Sequence, residues 1–287
     1  ATVEFHRGWV TRECNAQGIV KWAWTDPERG IHHASQDVKQ DLVSVSDSGE
    51  RMVVHRMIDS TSQYDARFML MEQGQVIWNA ARGQMNVLSP NGEWILSSNA
   101  TGFEATHLES TTVETVEINV PTRLIWRHDS SGFSLVTTTG EVVQYSIVDR
   151  TVTEAARHRF AVDSTILLRG STDRAHQRFL FHDSQNAYLF RTSDTAAPVV
   201  DLGFRKEIET CTEAAISPDG SVMAIGTDSG RLLVVDVQTG WILHTVQLNA
   251  DPIRGLSFHP QGHQLATGHW DGVARIWDLA RMTVVNE

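Results

Sequence analysis

The stretch GHWDGVARIWDLA, Gly268 to Ala280, sets a tight turn between two runs of small and β-branched residues and ends on a Trp-Asp pair. Taken alone it is one β-hairpin; its neighbours show that it is one of many. Directly before it stands GLSFHPQGHQLATG, an apolar run ending at Phe258, a Pro-Gln-Gly turn, then a second run through Leu265 and Ala266. The same design returns upstream in AAISPDGSVMAIGTDSGRLLVVDV, LSPNGEWILSSNATGF and FHRGWVTRECNAQG. In each, two glycines stand ten residues apart: Gly262 and Gly272, Gly220 and Gly230, Gly92 and Gly102, Gly8 and Gly18.

With the first glycine as a ruler, turns fall at Gly8, Gly49, Gly92, Gly132, near Gln177, and at Gly220 and Gly262, separated by 41, 43, 40, about 45, about 43 and 42 residues. That period belongs to four-stranded units stacked side by side around a channel. Short strands with alternate apolar positions, such as Leu232, Val234 and Val237, cannot bury both faces alone, so each unit needs its neighbours. The fold expected is all-β: a seven-bladed β-propeller of four-stranded antiparallel blades, one domain over 1–287, with repeats at 1–40, 41–83, 84–121, 122–163, 164–211, 212–251 and 252–287. The chain opens on the inner-strand segment TVEF and ends after RMTVVNE, so the first and last blades are each expected to be complete within one repeat.

These segments resemble the WD40-repeat β-propellers. The likeness is strongest in SPDGSVMAIG and HPQGHQLATGHWDGVARIWDL, fair in VLSPNGEWILSS, and rests on spacing in IWRHDSSGFSLVTTTG. One Trp-Asp pair, Trp277-Asp278, is present, and the sixth unit carries Val235-Asp236 at that place. In the family a blade joins a His, a Ser or Thr, a turn Asp and the strand Trp by hydrogen bonds. The resemblance gives Thr267, Asp271 and Trp277 three of those places, but LNADPIR supplies no Gly-His before the inner strand. A buried Asp short of a donor costs about 1 to 3 kcal/mol, so His259, His269 or water stands in, or Asp271 is solvated.

Composition narrows function. The 24 basic and 35 acidic residues leave a net charge of −11, which disfavours general affinity for nucleic acid or anionic membrane surfaces. No run of apolar residues is long enough to span a bilayer as a helix, and the opening ATVEFHRGWV lacks a basic region followed by an apolar one. A chain beginning at Ala1 without Met reads as a processed product or an excerpt of a longer protein. Cys14 and Cys211 are far apart and outside metal-binding spacings, which suggests free thiols and an intracellular, cytoplasmic setting.

No GxSxG, HExxH, P-loop or EF-hand string occurs, and no cofactor or metal site is expected. His128-Asp129 and His182-Asp183 are read as turn residues, where Asp caps the backbone. A propeller-type hydrolase or lyase with a site at the central channel is the rival reading. It would need acidic or His side chains converging from several inner strands, whose starts offer only Glu4, Arg123, Glu213 and Arg254. The favoured reading is a non-catalytic scaffold within a larger regulatory or assembly protein. By the resemblance, it binds proteins or peptides through its loop face. The contact candidates are Trp270, Arg254 and His269 in the last unit, Tyr64 and Arg56 around the long HRMIDSTSQYDA loop, and Arg123; aromatic and Arg side chains carry most interface energy.

Overall fold

The structure is a computed structural model. It describes residues 2–5, 9–14, 20–26, 30–34, 40–48, 50–57, 66–72, 75–79, 86–98, 102–111, 113–117, 121–137, 139–160, 169–182, 184, 186–193, 199–200, 209–248 and 251–286, the earliest strands by backbone alone. These residues form seven four-stranded sheets, each taking its strands in chain order. Where pairings are resolved, they are antiparallel between successive strands. Among them no helix is long and apolar enough to cross a membrane.

The last sheet comprises β25 (Ile253–Phe258), β26 (Gln264–His269), β27 (Ala274–Asp278) and β28 (Thr283–Asn286). The first comprises β1 (Thr2–Phe5), β2 (Trp9–Cys14), β3 (Val20–Asp26) and β4 (Gly30–Ala34). Neither borrows a strand from the other end of the chain.

Two compact units divide the contacts: residues 1–5, 138–141 and 158–287, and residues 6–137 with 142–157. In the first, β1 runs beside β25 and β26. Its core includes Leu180, Leu189, Cys211, Ile216, Met223, Ile225, Leu233 and Val235, contributed by the fifth and sixth sheets. A second cluster joins Ala215, Ala224 and Leu232 to Ile253, Phe258, Leu265 and Trp277 of the seventh. In the other unit, Trp94, Leu96 and Phe103 pack with Leu124, Phe133, Leu135, Val143 and Tyr145. Phe133 stacks on Tyr145 at 5.1 Å between centroids, and Phe103 meets both rings edge-on. Central strands such as Gly132–Thr137 and Val222–Thr227 are buried along nearly their whole length, on both faces, which an isolated four-stranded sheet could not provide.

The turn between first and second strands repeats atom for atom. Gly92, Gly220 and Gly262 adopt φ of 77°, 70° and 80° and donate N–H to the carbonyls of Ser89, Ser217 and His259. In the fourth and fifth sheets the same bond comes from Ser130 to Arg127 and from His176 to Asp173, with φ of 60° and 53°. The turn residue of the fourth sheet is therefore Ser130 rather than Gly132, and that of the fifth is His176, beside Gln177 where a turn without glycine is expected. Asx caps brace turns with and without glycine: the Asp129 carboxylate accepts the Ser131 N–H at 2.9 Å, that of Asp173 accepts the N–H groups of Gln177 and Arg178, and that of Asp219, beside Gly220, accepts the Ser221 N–H at 3.0 Å. Gly132 serves another purpose, since a Cβ there would lie 2.1 Å from the Tyr145 carbonyl oxygen on the paired strand.

A second recurring device is a bulge in the innermost strand. Register shifts occur between Leu42 and Ser44, Pro121 and Arg123, Cys211 and Glu213, and Ile253 and Gly255. The extra residue at each is left out of the ladder.

Candidate functional site

In the seventh sheet the extra residue is Arg254, which is exposed between buried Ile253 and Gly255. The turn after β26 is tied to the start of β25 by the Trp270 N–H bonding the Pro252 carbonyl at 3.0 Å. Gly272, at φ 87°, returns its N–H to the His269 carbonyl and closes the turn. This brings the Arg254 guanidinium carbon 4.9 Å from the centre of the Trp270 ring, whose residue is 68% exposed. A cation over an indole face is attracted to it even at an exposed site, and here the contact orders the long Arg254 side chain before any partner arrives.

Beneath the turn the structure answers the network question. The Trp277 indole N–H donates to Thr267 Oγ1 at 3.0 Å, and Thr267 Oγ1 lies 2.8 Å from His269 Nε2. His269 is 1% exposed and so belongs to the interior. It is not a surface contact residue, because its ring faces inward along β26 with Thr267. Burial first, and the nearby Arg275 second, hold its pKa below the ordinary histidine value. Asp271 remains at the rim: its carboxylate caps the Val273 N–H at 2.9 Å and pairs with Arg275 at 3.7 Å. His269 thus takes the place of the missing Gly-His, and Asp271 is satisfied without being buried.

The other candidates belong to the second compact unit. Arg123 is half-buried opposite Val136, one position past the bulge, so its counterpart in the seventh sheet is Gly255 rather than Arg254. Arg56 pairs by backbone with Gln40 and Arg67, and Tyr64 lies outside the described residues. Trp270, Arg254 and His269 are therefore the candidates brought together within one unit.

Sequence reasoning missed the equivalent polar set of the sixth sheet. Glu209, 8% exposed, accepts from Thr227 Oγ1 at 3.0 Å, from Ser229 Oγ and from the Arg231 guanidinium. Thr227 holds the place of His269 there, while Val235 and Ile225 stand where the seventh sheet has Trp277 and Thr267. The members of the polar set flank the TDSG turn, but Glu209 comes from the preceding segment, and no local pattern announces it. Among the described residues, no group of three or more His, Cys, Asp or Glu is placed to hold a metal ion.

Seven four-stranded meanders, four of them with a bulge recorded in the inner strand, define a β-propeller. The chain is similar over 97% of its length, at TM-score 0.67 and 13% identity, to 96% of the β-propeller domain of Cps50 (Swd1) from Myceliophteria thermophila. Residues 240–278, from the outer strand of the sixth sheet through β27, match the family model described as "WD domain, G-beta repeat". Over that stretch the chain is similar to WD40 repeats, and over its length it has the fold of a β-propeller. A segment of 66 residues is 39% identical to the periodic tryptophan protein 2 homolog of Schizosaccharomyces pombe, spanning 23% of this chain and 8% of that protein. Another of 121 residues is 27% identical to pre-mRNA-processing factor 19 of Oryza sativa subsp. japonica, spanning 42% and 23%. The matched segments account for less than a quarter of either relative's length.

Proposed function

We propose that this chain is a single, non-catalytic, intracellular propeller that serves as a protein-binding scaffold, with Trp270 and Arg254 at the centre of its contact surface. The observation that carries the reading is the exposed Trp270 ring with the Arg254 guanidinium laid against it. Burying that ring within a structure this size would be favourable, yet the bond from its backbone to Pro252 presents it to solvent. Trp and Arg are the residue types over-represented among strong interface contacts, and a guanidinium already positioned loses less entropy on binding. An assembly role in a larger protein suits relatives in which similar segments form a small share of the chain.

The test is to recover partners with the intact chain, then compare Trp270→Ala and Arg254→Ala. Each is expected to leave the melting temperature within a degree or two and to weaken binding by at least about 1 kcal/mol. Unchanged binding by both variants would move the contact surface elsewhere. Turnover of a small ester, glycoside or lactone by the purified chain would replace the scaffold reading with the enzymatic one.

A further inference from the structure

Where the fifth sheet meets the sixth, three side chains with no assigned part in the loop surface converge. β18 (Arg178–His182) ends on His182, which is 2% exposed. β21 (Cys211–Ile216) begins on Cys211, 5% exposed, and its bulge at 211–213 re-aims the side chains that follow. The Cys211 N–H is anchored to the Ser184 carbonyl at 2.9 Å. The thiol donates to the Glu213 carbonyl oxygen at 3.7 Å, and its Sγ lies 3.5 Å from His182 Nδ1, near enough for the proton to pass to the ring instead. On the far side of the ring, His182 Nε2 faces Glu213 Oε2 at 3.9 Å, and the Glu213 side chain is 27% exposed. In the tautomer that can take the thiol proton, Nδ1 is the acceptor and Nε2, turned to the carboxylate, carries the ring's proton. This is the order nucleophile, base, orienting carboxylate, in which a thiol passes its proton to an imidazole whose charge the carboxylate stabilises.

We propose that Cys211 is an oxidant-modifiable thiol, activated by His182 and positioned through Glu213, that reacts with small hydroperoxides. The thiol gives its proton to His182 Nδ1, and the sulfur attacks the terminal peroxide oxygen. The S–O bond forms as the O–O bond breaks. The departing hydroxide or alkoxide takes the proton from the imidazolium, so that thiol and peroxide yield a sulfenic acid and water or an alcohol. Sulfur is oxidised by two electrons and the peroxide is reduced. Cys211 is 5% exposed, so the co-reactant assigned to it is a small peroxide rather than a bulky aromatic disulfide. The product also matters mechanically. Cys211 packs with Leu180, Ala187, Leu189 and Ala214, so an added oxygen brings a polar atom into the seam between the fifth and sixth sheets.

The experiment treats the full chain with hydrogen peroxide, traps sulfenic acid with dimedone and reads the modified peptide by mass spectrometry. Cys211 in the folded chain is expected to be trapped about ten-fold faster or more than in the same chain unfolded in urea, because a positioned base outweighs the loss of access. A bulky aromatic disulfide should show the opposite preference. H182Q is expected to remove the acceleration. E213Q should remove some of it, and the double variant should be no slower than H182Q, since Glu213 acts through the ring. Melting curves of each variant accompany the rates. A folded-state rate below the unfolded one overturns the proposal, as does an H182Q chain that melts like wild type and reacts as fast. If H182Q does not fold, the wild-type comparison of folded and unfolded chain decides alone.

Discussion

At the scale of single residues, similar glycines do different work, and their costs diverge. Gly240 has φ 72° with nothing within 4 Å of a built Cβ, so Gly240→Ala meets only the left-handed backbone penalty of about 1 to 2 kcal/mol. Gly132 lies against the Tyr145 carbonyl, and Gly132→Ala must push apart a pair of hydrogen-bonded strands; about 3 kcal/mol or more is expected. Urea denaturation of the two variants measures the difference. His269 supplies a pH prediction. Its folded-state pKa lies below the ordinary 6.5, so the folded chain keeps the ring neutral while the unfolded chain takes up a proton. That stability is fully present above about pH 6.5 and is lost as pH falls below it. Half-buried His259, also lowered by burial and by neighbouring His263, acts in the same direction. Melting temperature should fall between about pH 6.5 and pH 5, and His269→Gln should flatten some of that fall.

At the scale of the strand and sheet, two neighbouring sheets are locked by different chemistry. The seventh uses an aromatic anchor: Trp277 is 2% exposed, packs with Leu265 and Phe258, and bonds Thr267. Trp277→Ala should cost about 3 to 5 kcal/mol, and a melt unchanged within a degree or two would contradict the packing described. The sixth uses the Glu209–Arg231 pair with Thr227 and Ser229 around it. Glu209→Gln leaves a guanidinium that is only 24% exposed without its carboxylate, so a loss of about 2 to 3 kcal/mol is expected. Replacing Arg231 as well should restore some of that loss, which a double-mutant cycle by chemical denaturation would show.

At the scale of the whole molecule, charge and the loop surface govern association. A net charge of −11 repels phosphate backbones at long range, so the chain should pass through a DNA column at physiological salt without retention. Arg254 is a local exception to that field. If the partner carries carboxylates, lowering the salt should tighten binding of the wild type more than of Arg254→Ala, readable by titration calorimetry at two ionic strengths.

The sequence alone determined the repeat, the strand and turn identities and the propeller architecture. Apolar alternation and Gly, Pro and Asp turns act within a few residues of one another and leave their period in the chain. It also marked Trp270 and Arg254, an aromatic and a cation at the edges of strands. Tertiary structure decided the rest. The inner-strand bulge, invisible in the residue pattern, turns Arg254 outward onto Trp270 and makes Arg123 the counterpart of Gly255. Ser130, not Gly132, makes the positive-φ turn of the fourth sheet, because the N–H to carbonyl bond that closes the turn fixes that conformation on a residue other than glycine. His269 goes inside because Trp277 and Thr267 leave a polar ring position that only sheet packing creates. Glu209 reaches Thr227, and His182 reaches Cys211, across 18 and 29 residues, distances at which no local preference operates. Only the stacking of one sheet on the next brings such groups within bonding reach.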